Sequence, residues 1–146
     1  MRLLEAAALT LIASAPASAQ STGNFPAIEA RLRQCSAAHP DIPGSASCEQ
    51  GAFVAADSIL NTVYRDVMAS LRHPGSTHAP SDPAVIRRLV LSERAWLGYR
   101  TAECSYRSAV AIGAPLEGFE YQQCLYALTK ERVKVLGSPE APQNAR

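Results

Sequence analysis

Four cysteines constrain this chain more than any other feature. They stand at Cys35, Cys48, Cys104 and Cys124 of 146 residues, so successive cysteines are 13, 56 and 20 positions apart. No two of them form a Cys-x-x-Cys pair, and the spacing is therefore a poor match to a structural zinc site. An even number of cysteines favours disulfides if the chain folds in an oxidising compartment. Counting alone allows three pairings.

The N-terminus indicates that such a compartment is reached. Arg2 precedes a short run rich in leucine and alanine that contains Glu5, and small residues follow, with Ala17 and Ala19 placed for cleavage. This pattern predicts a secretory signal peptide over residues 1–19. The alternative is that the run forms a buried amphipathic helix. The residue directly after Ala19 is not a cysteine, so we expect a periplasmic or secreted protein without a lipid anchor.

Composition excludes several classes of protein. Apolar residues make up 47% of the chain and charged residues 18%, which suffices for one domain with a buried core. Lys and Arg number 14 against 13 Asp and Glu, and this balance argues against a nucleic-acid-binding protein. Beyond the N-terminus, no apolar run approaches the roughly 20 residues of a membrane span. The sequence contains no phosphate loop and no dinucleotide motif, so we expect no cofactor.

Helical spacing of apolar residues predicts three helices in the middle of the chain. The first covers about Ser47 to Leu71, the second about Pro83 to Val110, and the third about Gly118 to Leu136. Asp82 before a proline is typical of a helix start, and glycine at position 137 is typical of a helix end.

The flanking segments are predicted to be less regular. We expect residues 20–34 to be flexible, with room for a short helix around Ile28–Leu32, and residues 138–146 to be disordered. Two prolines and a glycine between Cys35 and Cys48 predict a loop closed by a disulfide. The helical domain would then span residues 35–137.

An antiparallel arrangement of these helices favours one pairing of the cysteines. The turn between the second and third helices centres near residue 114, so Cys104 and Cys124 lie at the same level of the hairpin. Their pairing leaves Cys35 with Cys48. We therefore predict an all-α fold, a small three-helix antiparallel bundle with two disulfides. The same counting places Trp96 level with Arg132.

Charged residues interrupt the buried stripe of the second helix. Glu93, Arg100 and Glu103 lie on or beside the face that carries Trp96, and buried charges must be paired. We expect one of the two glutamates to pair with Arg100 and Arg132, in a network that fixes how the helices dock. A catalytic pair is the alternative. Ten residues of helix separate the glutamates by about 15 Å, whereas glycosidases need roughly 5 to 9.5 Å. We therefore expect no enzymatic activity.

Three sequence blocks carry a resemblance to a known family. They are Leu60-Asn61-x-x-Tyr64, then Ser92-Glu93-Arg94-Ala95-Trp96-Leu97-x-Tyr99-Arg100-x-x-Glu103-Cys104, and finally Cys124-Leu125-x-x-Leu128-Thr129-x-x-Arg132. Over about residues 35–136 the chain resembles the lysozyme-inhibitor LprI-type family, which implies an exported helical domain that inhibits lysozyme. We interpret the polar residues of these blocks as a structural cluster: Asn61, Tyr64, Glu93, Trp96, Tyr99, Arg100, Glu103 and Arg132.

These observations predict a binding module whose partner is lysozyme or another wall-degrading enzyme. Inhibition would be steric, with a loop covering a carbohydrate cleft. The candidate loops are Arg72–Pro80 and Ile112–Phe119, because rigid helices would present them at opposite ends. We expect the histidines to be surface residues rather than metal ligands. The alternative is a structural or stress protein that binds another envelope partner and inhibits nothing. Candidate partner-binding residues are Arg72, His73, Ser76, His78, Glu117 and Phe119.

Overall fold

The computed structural model describes residues 25–73, 82–111 and 114–138. These residues form four α-helices and no strand: α1 (Phe25–Ala38), α2 (Ile42–Arg72), α3 (Pro83–Ala109) and α4 (Ala114–Gly137). The prediction of an all-α fold is confirmed. The expected signal peptide, Ser76, His78 and the tail from residue 139 lie outside the described residues. Within the described ranges, no helix combines the length and the apolar character needed to cross a membrane.

Helix α4 lies at the centre of the bundle. It packs most extensively against α2 and then against α3, while α1 packs against α2. The core joins Ala56 and Leu60 of α2 to Val133 of α4, and Phe25 and Ile28 of α1 cover the same cluster. Helices α2 and α3 have little direct backbone contact, so side chains must connect them.

Both predicted disulfides are confirmed. Cys35 and Cys48 are bonded with a Cα–Cα distance of 5.7 Å, and Cys104 and Cys124 with a distance of 5.5 Å. The first disulfide fastens α1 to α2, and the second fastens α3 to α4. Each disulfide therefore ties two helices that follow one another in the chain.

The prediction of a loop between Cys35 and Cys48 is wrong. Cys35 lies in the last turns of α1, and α2 resumes at Ile42 instead of near Ser47. Asp41 is the N-cap of α2, because its side chain accepts a 2.8 Å hydrogen bond from the backbone N–H of Gly44. Pro43 lies in the first turn, where a helical N–H has no partner within the helix. The proline therefore marks a helix start.

The turn between α1 and α2 is tight. The hydroxyl of Ser45 donates to the carbonyl of His39 at 3.1 Å. A Cβ atom added at Gly44 would lie 2.7 Å from the Cβ of His39, closer than side chains approach each other. Glycine at this position therefore allows the two helices to follow each other so closely.

The prediction that residues 20–34 are flexible is also wrong from residue 25 onward. Helix α1 begins at Phe25 and is longer than the short helix expected around Ile28–Leu32. Phe25 and Ile28 are buried against α2, with Leu32 beside them, and Glu29 forms an ion pair with Lys130 of α4. These partners are far away in sequence, so local composition underestimates the order of this segment.

The second candidate loop, Ile112–Phe119, is largely helical. Helix α4 begins at Ala114, four residues before the predicted start at Gly118. Pro115 lies in its first turn, a position that suits proline. Glu117 and Phe119 are therefore carried by the first two turns of a helix and are not loop residues.

Candidate functional site

Aromatic rings and guanidinium groups meet where α2, α3 and α4 converge. The guanidinium of Arg100 lies 5.1 Å from the ring centroid of Phe53 and 5.0 Å from that of Trp96. The guanidinium of Arg132 lies 5.6 Å from the ring of Trp96. Such cation–π contacts stabilise a protein most where water is excluded. We call these four residues, with their hydrogen-bonding partners Asp57, Glu93 and Thr129, the arginine–tryptophan cluster.

Each guanidinium group of this cluster is paired with a carboxylate. Arg132 donates to one oxygen of Glu93 from Nε at 2.9 Å and from Nη2 at 2.7 Å. Arg100 donates from Nη1 to Asp57 at 2.7 Å and to the hydroxyl of Thr129 at 2.9 Å. The side chains of Glu93 and Arg132 are only 11% and 13% exposed, so this pairing offsets the cost of burying them.

One part of the expected network is confirmed, because Glu93 pairs with Arg132, and the part that concerns Arg100 is wrong. Arg100 pairs with Asp57 of α2, and neither Glu93 nor Glu103 reaches it. Glu103 instead pairs with Arg107, one turn further along α3, at 2.7 Å and nearer the surface. Asp57 was missed, although it lies on the helical stripe of α2 and within one turn of the level that hairpin counting assigns to Arg100. The acidic partner of Arg100 therefore comes from the facing helix α2 and not from its own helix α3.

The other polar residues that the sequence predicts for this cluster lie at the edge of the arginine–tryptophan cluster or outside it. Asn61 is exposed, and its side-chain amide donates to the backbone carbonyl of Asp57 at 2.9 Å and to the carboxylate of Asp57 at 3.2 Å. It therefore supports the residue that holds Arg100. Tyr64 is half-buried, and Tyr99 is 51% exposed on the outer side of α3.

A second group of buried polar side chains lies between α2 and α4, and we call it the Glu49–Tyr126 region. Glu49 is 7% exposed and Tyr126 is 8% exposed. Oε2 of Glu49, the hydroxyl of Tyr126 and Oε1 of Gln122 are buried without a hydrogen-bond partner. Burial raises the pKa of Glu49, and a hydrogen bond with Gln123 partly offsets this effect. Burial also raises the pKa of Tyr126, and the charges of Glu29 and Glu49 act in the same direction.

The candidate partner-binding residues lie at opposite ends of the bundle. Arg72 is the last residue of α2, and His73 is its exposed C-cap. Glu117 lies at the other end and lines a cavity of about 390 Å³ with Ser105, Ser108, Gly118 and Tyr121. Near this cavity the α3–α4 end also exposes apolar side chains, since Tyr106 is 66% exposed and Val110 is 63% exposed.

A larger cavity lies between α1 and α2, on one side of their contact. Its volume is about 610 Å³, and it lies beside the disulfide between Cys35 and Cys48. Most of its lining is small or apolar, including Gly51, Ala55 and Ile59, and Arg31 contributes a charge. The packing of α1 on α2 is therefore incomplete on one side.

The geometry of the described residues favours a structural role for the polar cluster. Asp57 and Glu93 are both held by guanidinium groups, so neither is a free acid or base. No group of three or more His, Cys, Asp or Glu residues within the described part of the chain is arranged to hold a metal ion. His39 and His73 are exposed and belong to different turns. The cluster therefore joins three helices through side-chain contacts.

Comparison with known proteins identifies the family. The family model described as Lysozyme inhibitor LprI matches residues 35–136, which is most of the chain. The chain belongs to this family. The matched range contains both disulfides and every residue of the arginine–tryptophan cluster, so the family domain and the tied helices coincide. LprI membership supports a lysozyme-inhibitor-like role at the level of the family.

One curated relative is an uncharacterized protein of Rhizobium meliloti (strain 1021). It is 32% identical over 92 residues, which cover 61% of this chain and 66% of the relative. The chain thus spans just under two thirds of the length of that protein. No solved structure matches the chain significantly.

Proposed function

We propose that this protein is an exported binding module that inhibits lysozyme or a related wall-degrading enzyme. The observation that carries the proposal is the match to the lysozyme-inhibitor family over residues 35–136. Two disulfides that tie successive helices suit an oxidising compartment such as the periplasm or the medium. Inhibition is steric in this proposal, because a rigid domain that covers a carbohydrate cleft prevents the substrate from entering.

The end of the bundle where α3 meets α4 is the surface that best suits this role. Tyr106 and Val110 are exposed there, and exposed apolar side chains in a group are typical of protein interfaces. The cavity lined by Glu117 and Tyr121 adds a concave element beside them. The disulfide between Cys104 and Cys124 lies beneath this end, so its surface is held in place before the partner binds.

Charge supports the same end. Glu117 is exposed and Glu120 is half-exposed, and neither forms an ion pair with another described residue. Animal-type lysozymes are basic proteins, and an acidic patch accelerates association with a basic partner. The formal net charge of +1 gives no such attraction for the molecule as a whole. A local acidic surface therefore supplies what the net charge does not.

A lysozyme assay tests the proposal. The purified protein, with both disulfides intact, is titrated into animal-type lysozyme and bacterial wall hydrolases at low and physiological salt. We expect dose-dependent inhibition, and replacement of Tyr106 by Ala raises the inhibition constant about tenfold, as for a central interface residue. Tyr99→Ala is the matched control, because Tyr99 is an exposed tyrosine two turns away on the same helix.

Two results would contradict this assignment. Equal inhibition by Tyr106→Ala and the unchanged protein would exclude the α3–α4 end as the inhibitory surface. No inhibition of any enzyme, with circular dichroism showing an intact fold, would favour an envelope protein that binds another partner.

A further inference from the structure

Five exposed arginines occupy the half of the bundle nearest the connection between α2 and α3. They are Arg65 and Arg72 on α2, and Arg87, Arg88 and Arg94 on α3. None of them lies within 4.0 Å of a carboxylate among the described residues. We call this set the arginine end. The exposed acids of this half are Asp66, Asp82 and Glu131. Asp82 is engaged in capping α3, and Glu131 pairs with Lys134.

The other arginines of α2, α3 and α4 behave differently. Arg100, Arg107 and Arg132 each pair with a carboxylate at 2.7 Å. Unpaired guanidinium groups on these three helices are therefore confined to one half of the bundle. The other half exposes the acids Glu117 and Asp41, together with Arg31 and Arg33 of α1, which form no ion pair with a described residue.

The ion pair between Arg100 and Asp57 places these two residues at the same height in the bundle. Counting along α2 and α3 from this pair shows that the exposed arginines of the two helices lie at similar heights. Arg65 is eight residues beyond Asp57 on α2, and Arg94 is six residues before Arg100 on α3, which correspond to about 12 and 9 Å of helix. Arg72 and Arg87 lie a further seven residues away on their helices, about 10 Å. Each helix thus carries an arginine at each of two levels, and α3 carries two at the second level, Arg87 and Arg88.

Exposed guanidinium groups that have no carboxylate partner suit a partner with repeating anionic groups. A planar guanidinium binds carboxylate or phosphate with two parallel hydrogen bonds, and exposed groups without a carboxylate partner remain available for this contact. Of the five, Arg65 also donates to the carbonyl of Asn61 and to the hydroxyl of Thr62, both at 3.2 Å. Single contacts of this kind are weak, but several on one polymer reinforce one another. A partner with regularly spaced carboxylates would engage both levels.

We infer that the arginine end binds the carboxylate-bearing peptides of the bacterial cell wall. The inference rests on the export included in the proposed function, since it needs the protein outside the cytoplasm. It goes beyond inhibition, because the wall is the substrate of the enzyme and not the enzyme itself. An inhibitor held on the wall by one end would present its other end where wall-degrading enzymes act.

Sedimentation with purified wall sacculi tests this inference. Sacculi stripped of phosphate polymers are mixed with the whole protein at low salt, and the bound fraction is measured after centrifugation. We expect retention that falls with added salt. The triple variant Arg87→Gln, Arg88→Gln and Arg94→Gln should bind about tenfold more weakly, because three charge contacts are lost. Arg107→Gln is the matched control, since it removes an exposed arginine from the other half.

Chemical modification of the sacculi identifies the group that is bound. Sacculi whose carboxylates have been converted to amides should not retain the protein. Retention by these amidated sacculi, or retention only by sacculi that still carry phosphate polymers, would overturn the inference. Equal binding of the triple variant and the unchanged protein, with circular dichroism confirming the fold of both, would do the same.

A soluble substrate separates this inference from the proposed function. Inhibition of the cleavage of a chitin oligosaccharide, which carries no peptide carboxylate, should be equal for the triple variant and the unchanged protein. Loss of inhibition in the triple variant would overturn the division of roles between the two ends. Retention on sacculi without inhibition of any enzyme would leave the inference standing and contradict the proposed function.

Discussion

The arginine–tryptophan cluster and the Glu49–Tyr126 region both bury polar side chains against α4, but they do so in different ways. In the cluster, Arg100 and Arg132 each meet a carboxylate from another helix. In the second region, Glu49 and Tyr126 each keep a buried oxygen without a partner. The comparison shows that this domain tolerates buried charge where another helix supplies the opposite charge. Where none is supplied, the buried group favours its neutral form.

The two regions also differ in what they connect. Helices α2 and α3 have little direct backbone contact, and Arg100 of α3 bridges this gap to Asp57 of α2 and Thr129 of α4. The cluster therefore connects α3 to both α2 and α4. Glu49 follows Cys48 and lies in an interface that already packs extensively. Its polar atoms add no comparable connection.

The largest effect is expected from breaking the buried pair of Glu93 and Arg132. Glu93→Ala leaves the guanidinium of Arg132, which is only 13% exposed, without its carboxylate. Removing one partner of a buried pair costs about 3–5 kcal/mol, so the free energy of unfolding should fall by about that amount. Denaturant unfolding followed by circular dichroism measures it.

A double variant sharpens this prediction. Glu93→Leu combined with Arg132→Met replaces both charges with apolar groups, and such replacements are often neutral or stabilising. The double variant should therefore recover most of the stability lost in Glu93→Ala. If it is as unstable as the single variant, the loss reflects packing around Trp96 and not an unpaired charge.

Much of this architecture can be predicted from the sequence. The helical stripes, both disulfides and the inward position of Glu93 follow from periodicity and hairpin counting, because neighbouring helices constrain each other locally. The partner of Arg100 could not be obtained in this way, since it depends on the rotation of α2 about its own axis. Helix α1 was underestimated for a related reason, since Phe25 is ordered by packing on a distant segment.

A smaller effect, with a distinct dependence on pH, is expected at Glu49. Burial raises the pKa of Glu49 in the folded state, so the folded protein binds its proton more tightly than the unfolded chain does. The stability from this group is fully present below the pKa of the unfolded state and is lost as pH rises through the folded pKa. Glu49→Gln should remove this loss and make the protein about 1 kcal/mol more stable at neutral pH.

Unfolding at a series of pH values tests this prediction. The stability difference between Glu49→Gln and the unchanged protein should grow as pH rises from acid to neutral. Glu117→Gln is the control, because Glu117 is an exposed glutamate in the first turn of α4. A constant difference across the series would mean that the pKa of Glu49 is the same in the folded and the unfolded protein, and it would contradict this prediction.

The smallest effect is expected at the ion pair between Lys134 and Glu131. Because this pair is exposed, it tests whether burial causes the larger effect expected for Glu93 and Arg132. The exposed pair has the same 2.7 Å separation as that of Glu93 and Arg132, but its side chains are 53% and 62% exposed. Water screens such pairs, so Lys134→Gln should change the free energy of unfolding by no more than about 0.5 kcal/mol. A loss above about 1 kcal/mol, measured by the same denaturant unfolding, would contradict this reasoning. Two ion pairs of equal length, one within α4 and one between α3 and α4, would then owe their energies to something other than the water that surrounds them.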